Sequence, residues 1–495
     1  MFQINHLNKS FISKNKQKTT VLNNVSFRLP DKGLIFILGK SGSGKSTLLN
    51  LLGGLDFYDT GEILINNHST KNFKQKDLDN YRNGNVGFIF QEFNLIEEMT
   101  VLENIALPLE LQGKKPDINL IASYLREIEL TGFESRKISE LSGGQKQRVA
   151  ILRAIIKNPN IILADEPTGN LDSETGQQVF EILKKLSKEK LIIVVSHDFE
   201  SAYRYGDRLI ELKNGQLLTD LSKNENFSKQ KLELKKGQVL TKKHLEEIQQ
   251  QSNNNFKKSF VSTKLDNNNI SSVQKELLQI KSHLNLKTAF KIGTNFLKVK
   301  KISLLFVSLL GAFLLAFSYI DFVYITFYIK FWNLLKKKFL TEFLNEVMLI
   351  MLIIFVLSFF VIGGFVKKSI QFKRKDIGTM RSLGARAQDV FKIFFSEGFV
   401  ISVIINIFYF CIFVLYLKNS IGRIFIKQKI EEIKLLDQLK NAKSTINTNF
   451  TDLFTQPWFM MIICFLLSLL IVFSSTYLPI SKLARKKPID VILNK

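Results

Sequence analysis

Between the apolar run Leu34 to Leu38 and a helical run beginning at Thr47 stands Gly39-Lys40-Ser41-Gly42-Ser43-Gly44-Lys45-Ser46. The spacing G-x-x-x-x-G-K-S, after a strand and before a helix, admits few folds. It implies a parallel α/β sheet with a loop that wraps an anion at a helix N-terminus. Gly39, Gly42 and Gly44 let the backbone curl so that its N–H groups face phosphate, and Ser41 and Thr47 complete the phosphate-binding set. Lys45 supplies the charge for the β- and γ-phosphates, and Ser46 supplies a hydroxyl for Mg²⁺.

The rest of residues 1–220 keeps the same pattern. Short β-branched runs such as Ile161 to Leu163 and Leu191 to Val195 alternate with helical stretches, as in a buried parallel sheet. The run Ile161-Ile162-Leu163-Ala164 ends in Asp165 and Glu166, and acids at the carboxyl end of such a strand meet the nucleotide crevice. Asp165 is the candidate Mg²⁺ holder and Glu166 the candidate general base.

Charge divides the chain. Residues 1–220 carry 28 Lys and Arg against 27 Asp and Glu, whereas residues 221–495 carry 41 against 17. The basic half also holds the long apolar runs, so its charge reads as flanks facing anionic lipid, and nucleic acid is not expected as a partner. The two cysteines, Cys411 and Cys464, both lie in apolar runs and can build no disulfide framework. The N-terminus Met1 to Phe11 lacks a basic region followed by an apolar one, so no secretory signal is expected and the first half should stay in the cytoplasm.

Residues 221–283 turn to Lys, Asn, Gln and Ser and read as a polar linker. Leu286, Ala289, Phe290, Gly293, Phe296 and Leu297 then recur at helical spacing among Lys287, Lys291 and Lys298, an interfacial amphipathic helix over 284–301. Four charge-free runs follow, 302–320, 347–366, 398–417 and 458–478, each close to the ~20 residues that cross hydrocarbon. With the α/β half inside, both termini are cytoplasmic, and the basic loop Lys367 to Lys392 lies inside too, in agreement with the charge rule. Lys336 to Lys338 and the basic residues between Lys418 and Lys443 run against that rule.

Leu141-Ser142-Gly143-Gly144-Gln145 precedes a further helical stretch. With this motif, the chain resembles ATP-binding cassette (ABC) ATPases, whose signature is LSGGQ. The resemblance covers the whole first half, with Gln91 in GFIFQEFNL, Asp172 in GNLD and His197 after the strand Leu191 to Val195. It implies an α/β P-loop ATPase hydrolysing ATP with Mg²⁺. Phe11 would stack on adenine, Gln91 would sense the γ-phosphate and Mg²⁺, and His197 would contact the γ-phosphate. Ser142, Gly143, Gly144 and Gln145 would grip the nucleotide of a partner subunit, with Asp172 nearby, so a homodimer is implied. A hydroxyl and glycine N–H groups at a helix start do form an anion site.

Arg374-Lys375-Asp376-Ile377-Gly378-Thr379-Met380-Arg381-Ser382-Leu383-Gly384-Ala385, between the second and third runs, is similar to the MacB/FtsX-type permease pattern R-x-E-I-G-x-x-R-x-L-G-A. The C-terminus from Leu478-Pro479 to Val491 resembles that family's ending. The expected architecture is therefore an ABC ATPase (1–220) joined to an FtsX-like, all-α permease of four transmembrane helices (302–495), multi-pass in the bacterial plasma membrane.

One departure stands out. Only Asp321 to Glu346 separates the first two runs, too little for the large outer domain of MacB-like proteins, which argues against docking of a periplasmic adaptor. That segment reads as an amphipathic helix on the outer leaflet or a packed hairpin. Lys418 to Pro457 reads as a sensor or a dimer stalk. Two functions fit the whole: ATP-driven export or extraction of an amphipathic or lipid-associated substrate, or an FtsX-like relay to an extracytoplasmic protein or peptide without transport.

Overall fold

The run Gly33–Leu38 is buried from Leu34 onward, as in a central strand of a covered sheet. In the computed structural model, which describes residues 1–12, 15–224, 260–263, 279–298, 305–314, 349, 353, 356–357, 360–418 and 457–492, it is strand β3. Counting from the N-terminus, β1 is Phe2–Ile12, β2 Lys18–Leu29, β4 Thr60–Ile65 and β5 His68–Ser69; after these come β6 Val86–Ile89, β7 Ile161–Asp165, β8 Leu191–Ser196, β9 Arg208–Lys213, β10 Gln216–Lys223 and β11 Phe260–Ser262. The helices of this half are α1 Lys45–Leu52, α2 Gln75–Asn85, α3 Val101–Leu111, α4 Ile118–Glu127, α5 Gly143–Ile155, α6 Ser173–Leu186 and α7 Phe199–Tyr205.

Two sheets result. The larger runs β11-β10-β9-β3-β8-β7-β6, with β9, β3, β8, β7 and β6 parallel and β10 and β11 antiparallel at one edge. The smaller, β2-β1-β4-β5, is antiparallel, and β1 alternates buried and less buried residues as a sheet with one packed face should. Leu48, Leu52, Phe88, Leu163 and Ile193 share one core between the sheets. Val101, Ile105, Ile121, Leu125, Val149 and Leu152 form a separate apolar cluster that joins α3, α4 and α5. Thr100 and Glu103 start α3 with a capping box.

Strand β11 lies inside the stretch read from composition as linker. Phe260 is its buried residue, set edge-on to Tyr203 with ring centroids 5.6 Å apart. One aromatic side chain in a polar stretch thus finds a slot beside the main sheet.

The chain divides into two compact units: Met1–Asn285 with Arg374–Asp389 and Lys486–Lys495, and Leu286–Lys373 with Val390–Arg485. In the first, Arg374–Ser382 is a helix that packs with the Pro488–Ile492 helix, and Ile489 and Ile492 reach the core between the two sheets. Lys487 pairs with Asp56 at 2.5 Å. Burial draws the Lys487 amine down, but the hydrogen bond and charge of Asp56 outweigh it and leave the amine above its ordinary range.

The described parts of the second unit are helical. Its helix Leu286–Lys298 buries Ala289, Ile292, Gly293, Phe296 and Leu297. A Cβ on Gly293 would lie 2.4 Å from Ser396 Oγ and 2.9 Å from the backbone oxygen of Ile393, so glycine allows this approach. Lys373 and Glu397 form a buried pair at 3.1 Å, with the ammonium 4.3 Å from the Phe296 ring. Among the described residues one helical stretch, Ala387–Ile412, is long and apolar enough to cross a membrane, and Leu305–Leu314 and Ser468–Leu483 are shorter apolar helices. The runs 302–320 and 347–366 are described only in part, and the segments 321–346 and 419–456 lie outside the described residues.

Candidate active site

The loop Gly39 to Ser46 joins β3 to α1. Gly44 caps α1 in the left-handed region at φ 97°, and a Cβ there would meet Val21 O at 2.7 Å, so no other residue fits. The buried Lys45 ammonium donates to the loop's own carbonyls, Gly39 O at 2.8 Å and Lys40 O at 2.9 Å. Ser41 and Gly42 are exposed and Thr47 is half-buried. The first turn of α1 carries no acid of its own, and the positive end of the helix suits an anion.

Asp165 ends β7 beside β8, in register with Val195. Its Oδ1 accepts from Ser46 Oγ at 3.0 Å. Burial pushes the Asp165 carboxyl above its ordinary range and the Glu166 charge adds to this, while the Ser46 bond and Lys45 oppose it. A carboxylate whose anionic form is costly is one that a divalent cation would relieve, so the Ser46 and Asp165 pair fits Mg²⁺. Among the described residues no group of three or more His, Cys, Asp or Glu is placed to hold a metal ion.

Glu166 follows with φ 45°, and its N–H donates to Val195 O at 2.9 Å. The exposed His197, just beyond β8, places Nδ1 3.0 Å from the Glu166 carboxylate. Ser46, Asp165, Glu166 and His197 thus meet at the carboxyl ends of the adjacent strands β3, β8 and β7. Gln91, which follows β6, is tied in by its carbonyl, which accepts from Asn170 Nδ2 at 3.1 Å.

The other sequence-predicted residues form a second group. Ser142 Oγ accepts from the Gln145 N–H at 3.3 Å and Gln145 Oε1 accepts from the Ser142 N–H at 3.0 Å, a capping box that starts α5. Gly143 and Gly144 form the first turn of α5, and a Cβ on Gly144 would meet Thr175 Cγ2 at 2.6 Å. Asp172 caps α6 through the N–H and hydroxyl of Thr175, at 3.0 and 2.8 Å, and these bonds hold its carboxyl below the usual range. Phe11 stands near the end of β1 with its ring exposed and the Lys9 ammonium 5.1 Å from the centroid.

Sequence reasoning marks the 374–385 segment but misses the α2 residues that it meets, which form a third group with the segment 374–386. Arg82 donates to Gly54 O and, from Nε at 3.1 Å, to Arg381 O, and it pairs with Asp79. Arg386 donates to Asn80 Oδ1 at 2.6 Å, and Lys157 donates to Arg82 O at 2.6 Å and Leu383 O at 3.4 Å. Lys375 pairs at 2.7 Å with Glu92, the neighbour of Gln91, and holds its carboxyl below the ordinary range. The available signal was α2 itself, QKDLDNYRNGN, whose polar residues Asp79, Arg82, Asn83 and Asn85 are all buried. Such a helix needs polar partners from elsewhere in the chain.

Residues 22–169 match the ABC transporter family, and residues 348–488 match the FtsX-like permease C-terminal family. The ABC transporter ATP-binding protein YxdL of Bacillus subtilis is 37% identical over 230 residues, which is 46% of this chain and 88% of that protein. The lipoprotein-releasing system ATP-binding protein LolD of Colwellia psychrerythraea is 39% identical over 221 residues, 44% of this chain and 85% of that protein. The macrolide export ATP-binding/permease protein MacB of Mannheimia succiniciproducens is 41% identical over 227 residues, but these are 45% of this chain and only 35% of MacB.

Proposed function

Since the chain belongs to the ABC transporter family, as an ATP-hydrolysing cassette fused to an FtsX-like permease domain, we propose that it is the subunit of a homodimeric exporter in the bacterial plasma membrane. ATP would close its two cassettes, hydrolysis would reopen them, and the motion would export or extract an amphipathic or lipid-associated substrate. The observation that carries this reading is the seat of the 374–386 segment on the cassette. A loop between two membrane runs bonds to Arg82 and, through Lys375, to Glu92, the neighbour of the nucleotide-sensing candidate Gln91.

At the site, the N–H groups of the Gly39 to Thr47 loop would bind the phosphates and Lys45 would offset their charge. Ser46 and Asp165, with Gln91 nearby, would hold Mg²⁺, which neutralises charge developing on the phosphates. Glu166 would take the proton of the attacking water, and His197 is close enough to its carboxylate to orient it. The Ser142 to Gln145 turn and Asp172 would complete the site of the opposite subunit, where Phe11 would stack on that subunit's own adenine.

Four membrane helices per subunit, at 302–320, 347–366, 398–417 and 458–478, with the cassette cytoplasmic, complete the reading. Substrate classes named for relatives, macrolides for MacB and lipoproteins for LolD, supply the first compounds to try. The test is ATP hydrolysis by the purified dimer in lipid, measured with antimicrobial peptides, lipoproteins, macrolides and wall hydrolases. Stimulation by an amphipathic compound, with its movement out of the leaflet, supports export. Stimulation by a wall hydrolase alone would favour a relay without transport.

A further inference from the structure

The polar stretch before the permease half does not run free up to the helix that begins at Leu286. Residues 281–285 alternate exposed and buried, with Ser282 and Leu284 buried, as an extended strip laid on a surface. One end of the strip is held by the cassette: Asn83 Nδ2 donates to Ile280 O at 3.2 Å, and the His283 N–H donates to Leu111 O at 2.9 Å.

The inward groups of the strip go to one carboxylate. Asp389, only 2% exposed, accepts from the Ser282 hydroxyl at 2.7 Å and from the Leu284 N–H at 3.1 Å. It also accepts from the Arg386 N–H at 3.1 Å, which caps the helix beginning at Ala387. Arg386 in turn reaches back to Asn80 of α2. The bonds close a ring: cassette, strip, Asp389, Arg386, cassette.

A buried carboxylate is held in place by the donors that face it, and the Ser282 hydroxyl and the Leu284 N–H bring two of them from the strip. Without the strip, Asp389 would lose both of these donors and would draw water or shift position. Arg386 and the Gly384 turn would shift with it.

We propose that residues 280–284 are a strap that locks the 374–386 loop onto its own cassette, with Asp389 as the positioning residue through which it acts. This rests on the reading of that loop as the coupling element. The strap would keep the loop seated while the cassette opens and closes, which is a reason for the two halves to be one chain.

The test is amide hydrogen exchange of the 374–386 peptide in the full-length dimer in lipid nanodiscs, which needs no transported compound and so succeeds or fails independently of the export reading. Ser282→Ala should speed that exchange about ten-fold, as expected for the loss of a hydrogen bond to a charged group. Ser282→Thr, which keeps the hydroxyl, should restore the parent rate. Asp389→Ala should speed exchange at least as much, and the double variant should be no faster than Asp389→Ala alone, because both act through one carboxylate. Basal ATP hydrolysis by Ser282→Ala should stay at the parent level. Parent-like exchange in Ser282→Ala, or single effects that simply add, would overturn the strap. If Asp389→Ala does not fold, the Ser282→Ala and Ser282→Thr pair alone decides.

Discussion

The Nε of Arg82 donates to the backbone carbonyl of Arg381 at 3.1 Å across 299 positions of sequence. The two guanidiniums also share one acid, for Asp79 pairs with Arg82 and lies 3.8 Å from Arg381. All three side chains are buried. Burial lowers Arg82 to about 10; the Asp79 charge works against this and the Arg381 charge works with it. Asp79 is therefore the counter-charge that lets two cations sit at one junction.

Asp79→Asn leaves both guanidiniums buried without it. It should destabilise the junction by about 3–5 kcal/mol, the usual cost of breaking a buried pair from one side. Denaturant unfolding followed by cassette fluorescence measures this. A loss below about 1 kcal/mol, the range of an exposed pair, would show that water reaches the junction.

The 374–385 side of this junction was legible in its motif, but the residues that receive it were not, and the reason is physical. The Gly39 to Ser46 loop, the β7 acids and the Ser142 to Gln145 turn are each contiguous, because backbone N–H groups and a helix N-terminus are local features. Gly39 to Ser46, Asp165, Glu166 and Ser142 to Gln145 were therefore visible as strings. Arg82 with Arg381, Asp56 with Lys487 and Ser282 with Asp389 are bonds between distant segments, and no local pattern marks them. Strand β11 escaped for a related reason: three residues in a polar stretch carry no period, and pairing with β10 alone makes them a strand.

Lys157 gives the junction a dependence on pH. Burial lowers its amine to about 7, with the Arg82 charge adding to the effect. The unfolded chain keeps this proton up to about 10.5, so between about 7 and 10.5 the unfolded state binds more protons and stability rises with pH, by at most about 1.4 kcal/mol per unit. Below about 7 the amine is protonated in both states and contributes no slope. Lys157→Met should remove this slope, so its unfolding free energy subtracted from the parent's should change between pH 7 and 9 and stay level between pH 5 and 6. A difference constant across the whole range would mean that the buried amine does not titrate there.

Glu166→Gln should bind ATP and hydrolyse it about 100-fold or more slowly, because a carboxamide cannot accept the proton of the attacking water. His197 would keep a polar partner at the same place, so the fold of the site should survive. Nucleotide affinity by fluorescence titration and turnover by phosphate release measure the two halves of the claim. Turnover within a few-fold of the parent would remove Glu166 from the role of base.

Gly384 carries the last prediction, because it stands where helix, loop and cassette meet. It follows the Arg374–Ser382 helix at φ 104°, a left-handed conformation that costs a side chain about 1–2 kcal/mol. A Cβ there would also lie 2.6 Å from the backbone N of Asn83, a rigid neighbour in α2 that cannot move aside as a flexible side-chain tip could. Gly384→Val must therefore lift the loop from α2 and weaken the bonds of Arg82 to Arg381 O and of Lys157 to Leu383 O. Lys45, Ser46, Asp165 and Glu166 lie on other elements, so basal hydrolysis should remain within about two-fold of the parent. Any stimulation of hydrolysis that a compound produces in the parent should fall about ten-fold or more, together with the cellular phenotype, in protein that reaches the membrane at parent levels. Full stimulation in that variant would mean that the loop does not couple the cassette to the membrane.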